Sequence, residues 1–351
     1  MTFSSFLQRP ALFALAVFSL APLGRAQKPV PAAVGRVLTA AKVLTAANDE
    51  GLPQAINGGC VVIGANGLIE AIGRVGEITT PEGYEEIDLG ELWLAPGMVD
   101  LHSHIAGTFD INDTVYQVNP GLRVAASVIP GNGALRRALA AGVTTILFIP
   151  GSGSNIGGQG VLLKTGLPTF EEMRLRDPGS LKVAQGDNPT RWGYGMRRGM
   201  MNFNIRTTFR RGLAYAKAWE KFEAGEAQEK PERDINLDIF RKLRAGETQI
   251  STHTQYYQLV MMSILLLKGE FGFPAYVDHG SFDSYRTSPL ALEHDVPAIL
   301  GPRAIMWPRP PRFDTDGQAH GPAWGYQKGG LKDIGFNTDA PVLPQEELPL
   351  Q

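Results

Sequence analysis

Cysteine is almost absent from this chain. Cys60 is the only one in 351 residues, so no intrachain disulfide can form, and a lone thiol reads most simply as an apolar filler rather than a nucleophile. An excess of charge of either sign is missing too. Lys plus Arg number 33 against 35 Asp plus Glu, which leaves no field to draw nucleic acid or an anionic membrane and favours a small neutral or mixed substrate. No hydrophobic run is long enough for a stable membrane span, which takes about 20 residues. The run Ala11 to Leu23, behind Arg9 and ahead of the small residues Gly24 and Ala26, reads instead as an export signal cut before Gln27, and so predicts a periplasmic or secreted chain. A phosphate loop and a nucleophile elbow are both lacking: Gly151-Ser152-Gly153-Ser154 fits neither pattern, and loop flexibility accounts for its glycines. There is no internal repeat or low-complexity tract.

What remains is a packed protein, since 43% hydrophobic and 19% charged residues exclude wholesale disorder. After a Pro-containing linker, Lys28 to Ala33, short β-like runs at Arg36 to Leu38, Gly59 to Ile63 and Leu68 to Ile72 are broken by glycine turns and predict a small β unit. From Leu92 onward apolar strands alternate with helical stretches, the texture of parallel βα units, compatible with a barrel or a doubly wound sheet. The strand candidates are Met98 to Ile105, Thr144 to Ile149, Val161 to Lys164, Leu181 to Gln185, Thr248 to His253, Ala275 to His279, Pro297 to Leu300 and Asp333 to Asp339. Helices are expected at Ala134 to Ala141, Phe209 to Phe222, Ile235 to Leu243 and Tyr256 to Lys268, with Gly142 and Gly269 as C-terminal stops. Gly186 to Arg233 is too long for a simple connection and predicts an elaborated loop or cap.

The sharpest feature is Asp100-Leu101-His102-Ser103-His104. Alternation along a strand puts both imidazoles on one side, able to converge on one cation. His253 and His279 also end strands, and Asn337-Thr338-Asp339 ends the last in a carboxylate; in a barrel such strand ends open on one face. His294 and His320 fall at a helix end and in a Gly-rich loop, where a structural role is the simpler reading. The arginines Arg191, Arg197, Arg198, Arg206, Arg210 and Arg211 read as a solvated helix face balanced by the acidic stretch Glu220 to Glu232.

In the block Ala95-Pro96-Gly97-Met98-Val99-Asp100-Leu101-His102-Ser103-His104, the strand-end histidines and Asn337-Thr338-Asp339, the chain resembles the amidohydrolase superfamily of imidazolonepropionase-like metal-dependent hydrolases. The resemblance runs from Gly35 to the C-terminus. It implies a (β/α)8 TIM barrel over residues 93–351 and a small, incomplete N-terminal β-sandwich portion over 27–92, after the signal peptide of 1–26. It implies that His102 and His104 bind one metal, that His253 and His279 bind the same or a second, and that Asp339 both ligates and handles protons. The metal would be Zn2+, with Fe or Mn as alternatives and one or two ions per site. A carboxylated lysine or a carboxylate from a middle strand bridges two-metal members, for which Lys164 and Asp187 are the candidates; Arg303, after Gly301-Pro302, is the candidate for substrate binding. The implied activity is hydrolysis of a carbon–nitrogen bond in a small-molecule amide by a metal-activated water. Deamination is the weaker alternative, because family deaminases place a glutamate three residues after the third histidine, whereas His253 is followed by Thr254, Gln255 and Tyr256. A catalytically inactive fragment or binding protein is the other. Family members continue past the eighth-strand aspartate, whereas this chain stops at Gln351, so the expectation is a barrel without its closing helix. Nucleic acid is not an expected partner; a homo-oligomer is compatible with the reading.

Overall fold

The computed structural model describes residues 34–47, 51–108, 110–192, 196–280 and 282–300, with the short antiparallel pair Arg312–Phe313 and Ala319–His320 beyond them. The chain divides into two compact units, Met1–Pro96 and Gly97–Gln351. The first carries strands β1 (Arg36–Leu44), β2 (Ala55–Ile63), β3 (Ile69–Arg74), β4 (Glu85–Asp88) and β5 (Trp93–Leu94) in one mixed sheet of order β3-β2-β1-β4, with β5 also on β1. Alternation in β2 sends Cys60 and Val62 to one face, with Val37, and Val61 to the other, with Ala40 and Val43. Cys60 is thus a buried filler, and burial pushes its thiol pKa up.

In the second unit seven strands form one sheet: β6 (Met98–Ser103), β7 (Val143–Phe148), β8 (Ile156–Lys164), β9 (Arg174–Ala184), β10 (Gln249–Thr254), β11 (Ala275–His279) and β12 (Ala298–Leu300), in sequential order. Helices α1 (Gly133–Ala140), α2 (Phe170–Met173), α3 (Asp187–Trp192), α4 (Arg198–Glu223), α5 (Asp238–Arg244), α6 (Tyr257–Ser263) and α7 (Ser288–Glu293) connect them, α6 running on into a π-helical turn, Ile264–Glu270. The strands expected at Asp333 to Asp339 lie outside the described residues.

The sheet curls until its ends face each other. Tyr276 on β11 donates its hydroxyl to the Leu101 carbonyl on β6 at 2.9 Å, and packs with Leu147 of β7, four strands away in the sheet order, and Ile149 just past it. The fold is therefore mixed α/β with a nearly closed, barrel-like sheet. Its outer face carries Ile146, Phe148, Val161 and Leu163 against Leu135 of α1, and Leu181, Val183 and Ile250 against Ile205, Phe209 and Phe240 of α4 and α5.

Two expectations are corrected. Uniform parallel pairing fails at β8, which runs antiparallel to both β7 and β9. Its connections, residues 149–155 and 165–173, are too short for a parallel crossover, which takes about a dozen residues or more. Gly186 to Arg233 is not chiefly a loop. It holds the 26-residue α4, whose buried Met201, Ile205, Thr208, Phe209, Gly212, Ala216 and Trp219 recur at helical spacing and make it a packed outer helix. Gly142 does stop α1, at φ 86°, whereas Gly269 lies inside the π-helical turn and Gly272, at φ 70°, follows it.

Candidate functional site

Four histidines meet inside the curled sheet. His102 sits in β6 and His104 just past its end; His253 is the penultimate residue of β10 and His279 the last of β11. Ring centroids are 5.0 Å apart for His102 and His104, 4.5 Å for His102 and His279, and 4.8 Å for His253 and His279. His102, His104 and His253 face inward by ordinary strand alternation. His279 follows the inward-facing Asp278 and would point outward, but its backbone adopts φ 74°, a left-handed conformation that turns its ring in beside its predecessor.

Beneath the rings lies a buried ion pair that the sequence reading did not single out. Lys182 of β9 reaches Asp278 Oδ2 at 2.9 Å, and both side chains are fully buried. Asp278 Oδ1 lies 3.2 Å from His102 Nδ1, close but misaligned, so both atoms stay without a hydrogen bond. Burial alone would raise the Asp278 pKa, but the Lys182 charge and His102 outweigh it and bring the carboxyl down to about 2. Desolvation lowers the Lys182 pKa against the pull of Asp278.

Burial also keeps two rings neutral. Desolvation, then the Lys182 and His102 charges, lower His104 to about 3; desolvation, then His253, lower His279 to about 2. His104 Nδ1 lies 3.0 Å from the Ile149 carbonyl. A carbonyl can only accept, so Nδ1 carries the proton and Nε2 of the neutral ring keeps a lone pair, the usual arrangement of a metal-binding imidazole.

The donor set suits a divalent cation in kind: neutral imidazoles, a carboxylate, and unpartnered buried His102 Nδ1 and Asp278 Oδ1. Imidazoles sharing one zinc at ordinary bond lengths have centroids about 5 Å apart, close to the spacing found. Their nitrogens do not yet converge: among the described residues no group of three or more His, Cys, Asp and Glu side chains is arranged to hold a metal ion.

Of the remaining candidates, Lys164 is not brought to this cluster. Lys164 is exposed and pairs with Thr145 at the far end of β7, because antiparallel β8 carries its last residue away from the histidines. Asp187 begins α3, and its side chain is outside the described residues, as are Arg303 and Asp339. His294 caps α7 and His320 lies in the short distal pair, both away from the four rings in sequence. Lys182 and Asp278 had a legible signal: each is a charge inside an apolar stretch, Leu181-Lys182-Val183-Ala184 and Tyr276-Val277-Asp278, where only a paired charge is tolerated.

No family model matches the chain. The curated amidohydrolase tasK of Hapsidospora irregularis is 25% identical in a match covering 59% of this chain and 23% of that protein, so the chain spans about a quarter of the relative's length. Among solved structures, an amidohydrolase from Thermotoga maritima MSB8 superposes with a TM-score of 0.67 and 27% identity, over 88% of this chain and 80% of that one. A putative prolidase from Bifidobacterium longum gives a TM-score of 0.37 at 17% identity over 76% of this chain and 61% of that one, a likeness too weak to bear on the fold. In sequence and in fold the chain is thus similar to amidohydrolases, over most of its length in the case of the Thermotoga maritima protein.

Proposed function

We propose that this chain is a metal-dependent hydrolase that cleaves a carbon–nitrogen bond in a small-molecule amide, in the interior of a TIM-type barrel into which β8 is inserted antiparallel. The observation that carries it is the meeting of four histidines from three separate strands in one run of ring contacts inside the sheet, two of them held neutral by burial. A bound Zn2+, Fe or Mn ion would polarise the amide carbonyl and activate water at neutral pH.

The chain's own residues do the rest. His104 offers Nε2 because Nδ1 is tied to Ile149, and Asp278 Oδ1 lies beside His102 Nδ1 at 3.2 Å. Asp339 accepts the proton of the attacking water and returns it to the leaving nitrogen. Lys182, buried as an ammonium against Asp278, adds a positive charge beside the rings that helps keep His104 and His279 neutral. The test is a panel of N-acyl amino acids and cyclic imides offered to the protein with and without added Zn2+ or Mn2+. Metal-dependent appearance of a new carboxylate upholds the reading. Ammonia release without a new carboxylate would make it a deaminase, and a folded, metal-loaded but inert protein would make it a binding protein.

A further inference from the structure

Along β6 the ladder to β7 pairs Asp100 with Ile146 and then Ser103 with Phe148, so the register breaks across Leu101 and His102. On its paired side the ladder therefore skips Leu101 and His102, although Ser103 still accepts from the Ile149 amide and the His102 amide is held by Asp100. What meets it comes from the opposite wall. Tyr276, on β11, is buried among Leu147, Ile149 and Ile299, and its hydroxyl donates to the Leu101 carbonyl at 2.9 Å. Two residues on, Asp278 stands 3.2 Å from His102 Nδ1. β11 thus touches β6 twice, once at the backbone ahead of His102 and once at its ring.

We propose that Tyr276 is a positioning residue: its hydroxyl, bonded across the sheet interior to Leu101, holds the interrupted stretch of β6 from which His102 and His104 reach the site. The inference rests on the metal-site reading above. Because burial keeps the phenol protonated far above the ordinary tyrosine range, the group is a hydrogen-bond donor throughout the working pH range. The bond supplies what the broken ladder does not, a fixed partner for a backbone carbonyl next to a ligand, and removing such an outer partner typically weakens metal affinity about 10- to 100-fold.

Tyr276→Phe keeps the ring in its apolar seat and removes the hydroxyl, and with it the bond to Leu101 and the contact with Ser251 of β10. The full chain and this variant would be titrated with Co2+ against a chelator, with the visible spectrum of the bound ion recorded, and hydrogen exchange over residues 98–104 followed in the metal-free proteins. The expected result is affinity at least about tenfold weaker, an altered Co2+ spectrum and faster exchange over 98–104, with exchange in α5 unchanged. Equal affinity and an identical spectrum would overturn the proposal. If the unmodified chain binds no Co2+, the metal reading itself fails, and exchange then decides: acceleration confined to 98–104 upholds the positioning role, and no change overturns it.

Discussion

Lys182 Nζ donates to Asp278 Oδ2 at 2.9 Å between two strands of the same sheet, β9 and β11, with β10 between them. Neither side chain meets solvent, so the pair holds only as a pair. Asp278→Asn leaves a buried ammonium without its counter-charge and should lower stability by about 3–5 kcal/mol, read from urea unfolding. Adding Lys182→Met to it should restore a substantial part, since the orphaned charge is then gone; strictly additive losses would contradict the coupling.

Acid should loosen the metal-free protein early. His104 and His279 have folded pKa values of about 3 and about 2, below the ordinary 6.5, so the folded state takes up their protons less readily than the unfolded chain. Their contribution is full above about pH 6.5 and falls steadily as pH drops toward 3. The urea midpoint should decline across that window, and His104→Asn should flatten the decline. A midpoint independent of pH between 6.5 and 4 would contradict the neutral-ring assignment.

At Gly212 an added methyl has nowhere to go. A Cβ there would fall 2.2 Å from Phe240 Cγ, where α4 and α5 pack face to face. Although alanine ordinarily favours a helix, Gly212→Ala should cost about 1–3 kcal/mol of stability by overpacking, visible as a lowered Tm. A neutral or stabilising effect would show that the two helices separate easily.

Asn132 caps α1, accepting from the Ala134 and Leu135 amides at 2.8 and 3.0 Å, and its amide nitrogen donates to the Ile105 carbonyl next to His104. Asn132→Ala should cost about 1 kcal/mol, and Asn132→Asp, which keeps the cap, should recover most of it in thermal unfolding.

The placement of the histidines was legible because alternation and strand ends are local properties: Met98–Ser103, Gln249–Thr254 and Ala275–His279 form strands, and the histidines in or just past them meet. The direction of β8 was not, because an apolar run reads the same in either direction, and only the shortness of its links excludes a crossover. That reversal is what separates Lys164 from the site and leaves Lys182, one strand on, inside it. The inward turn of His279 was hidden too, since positive φ at a non-glycine residue has no sequence signature of its own. The glycines of Gly151-Ser152-Gly153-Ser154 answer to close packing rather than flexibility: the stretch is buried, and a Cβ on Gly151 would lie 2.2 Å from the Asn112 side chain.

The most direct test of the metal site is elemental analysis of the purified full chain beside a variant carrying both His102→Ala and His104→Ala. Stoichiometric divalent metal in the first and its loss in the second is the predicted result. A folded chain that carries no metal after incubation with Zn2+, or a double variant that retains it in full, would contradict the account.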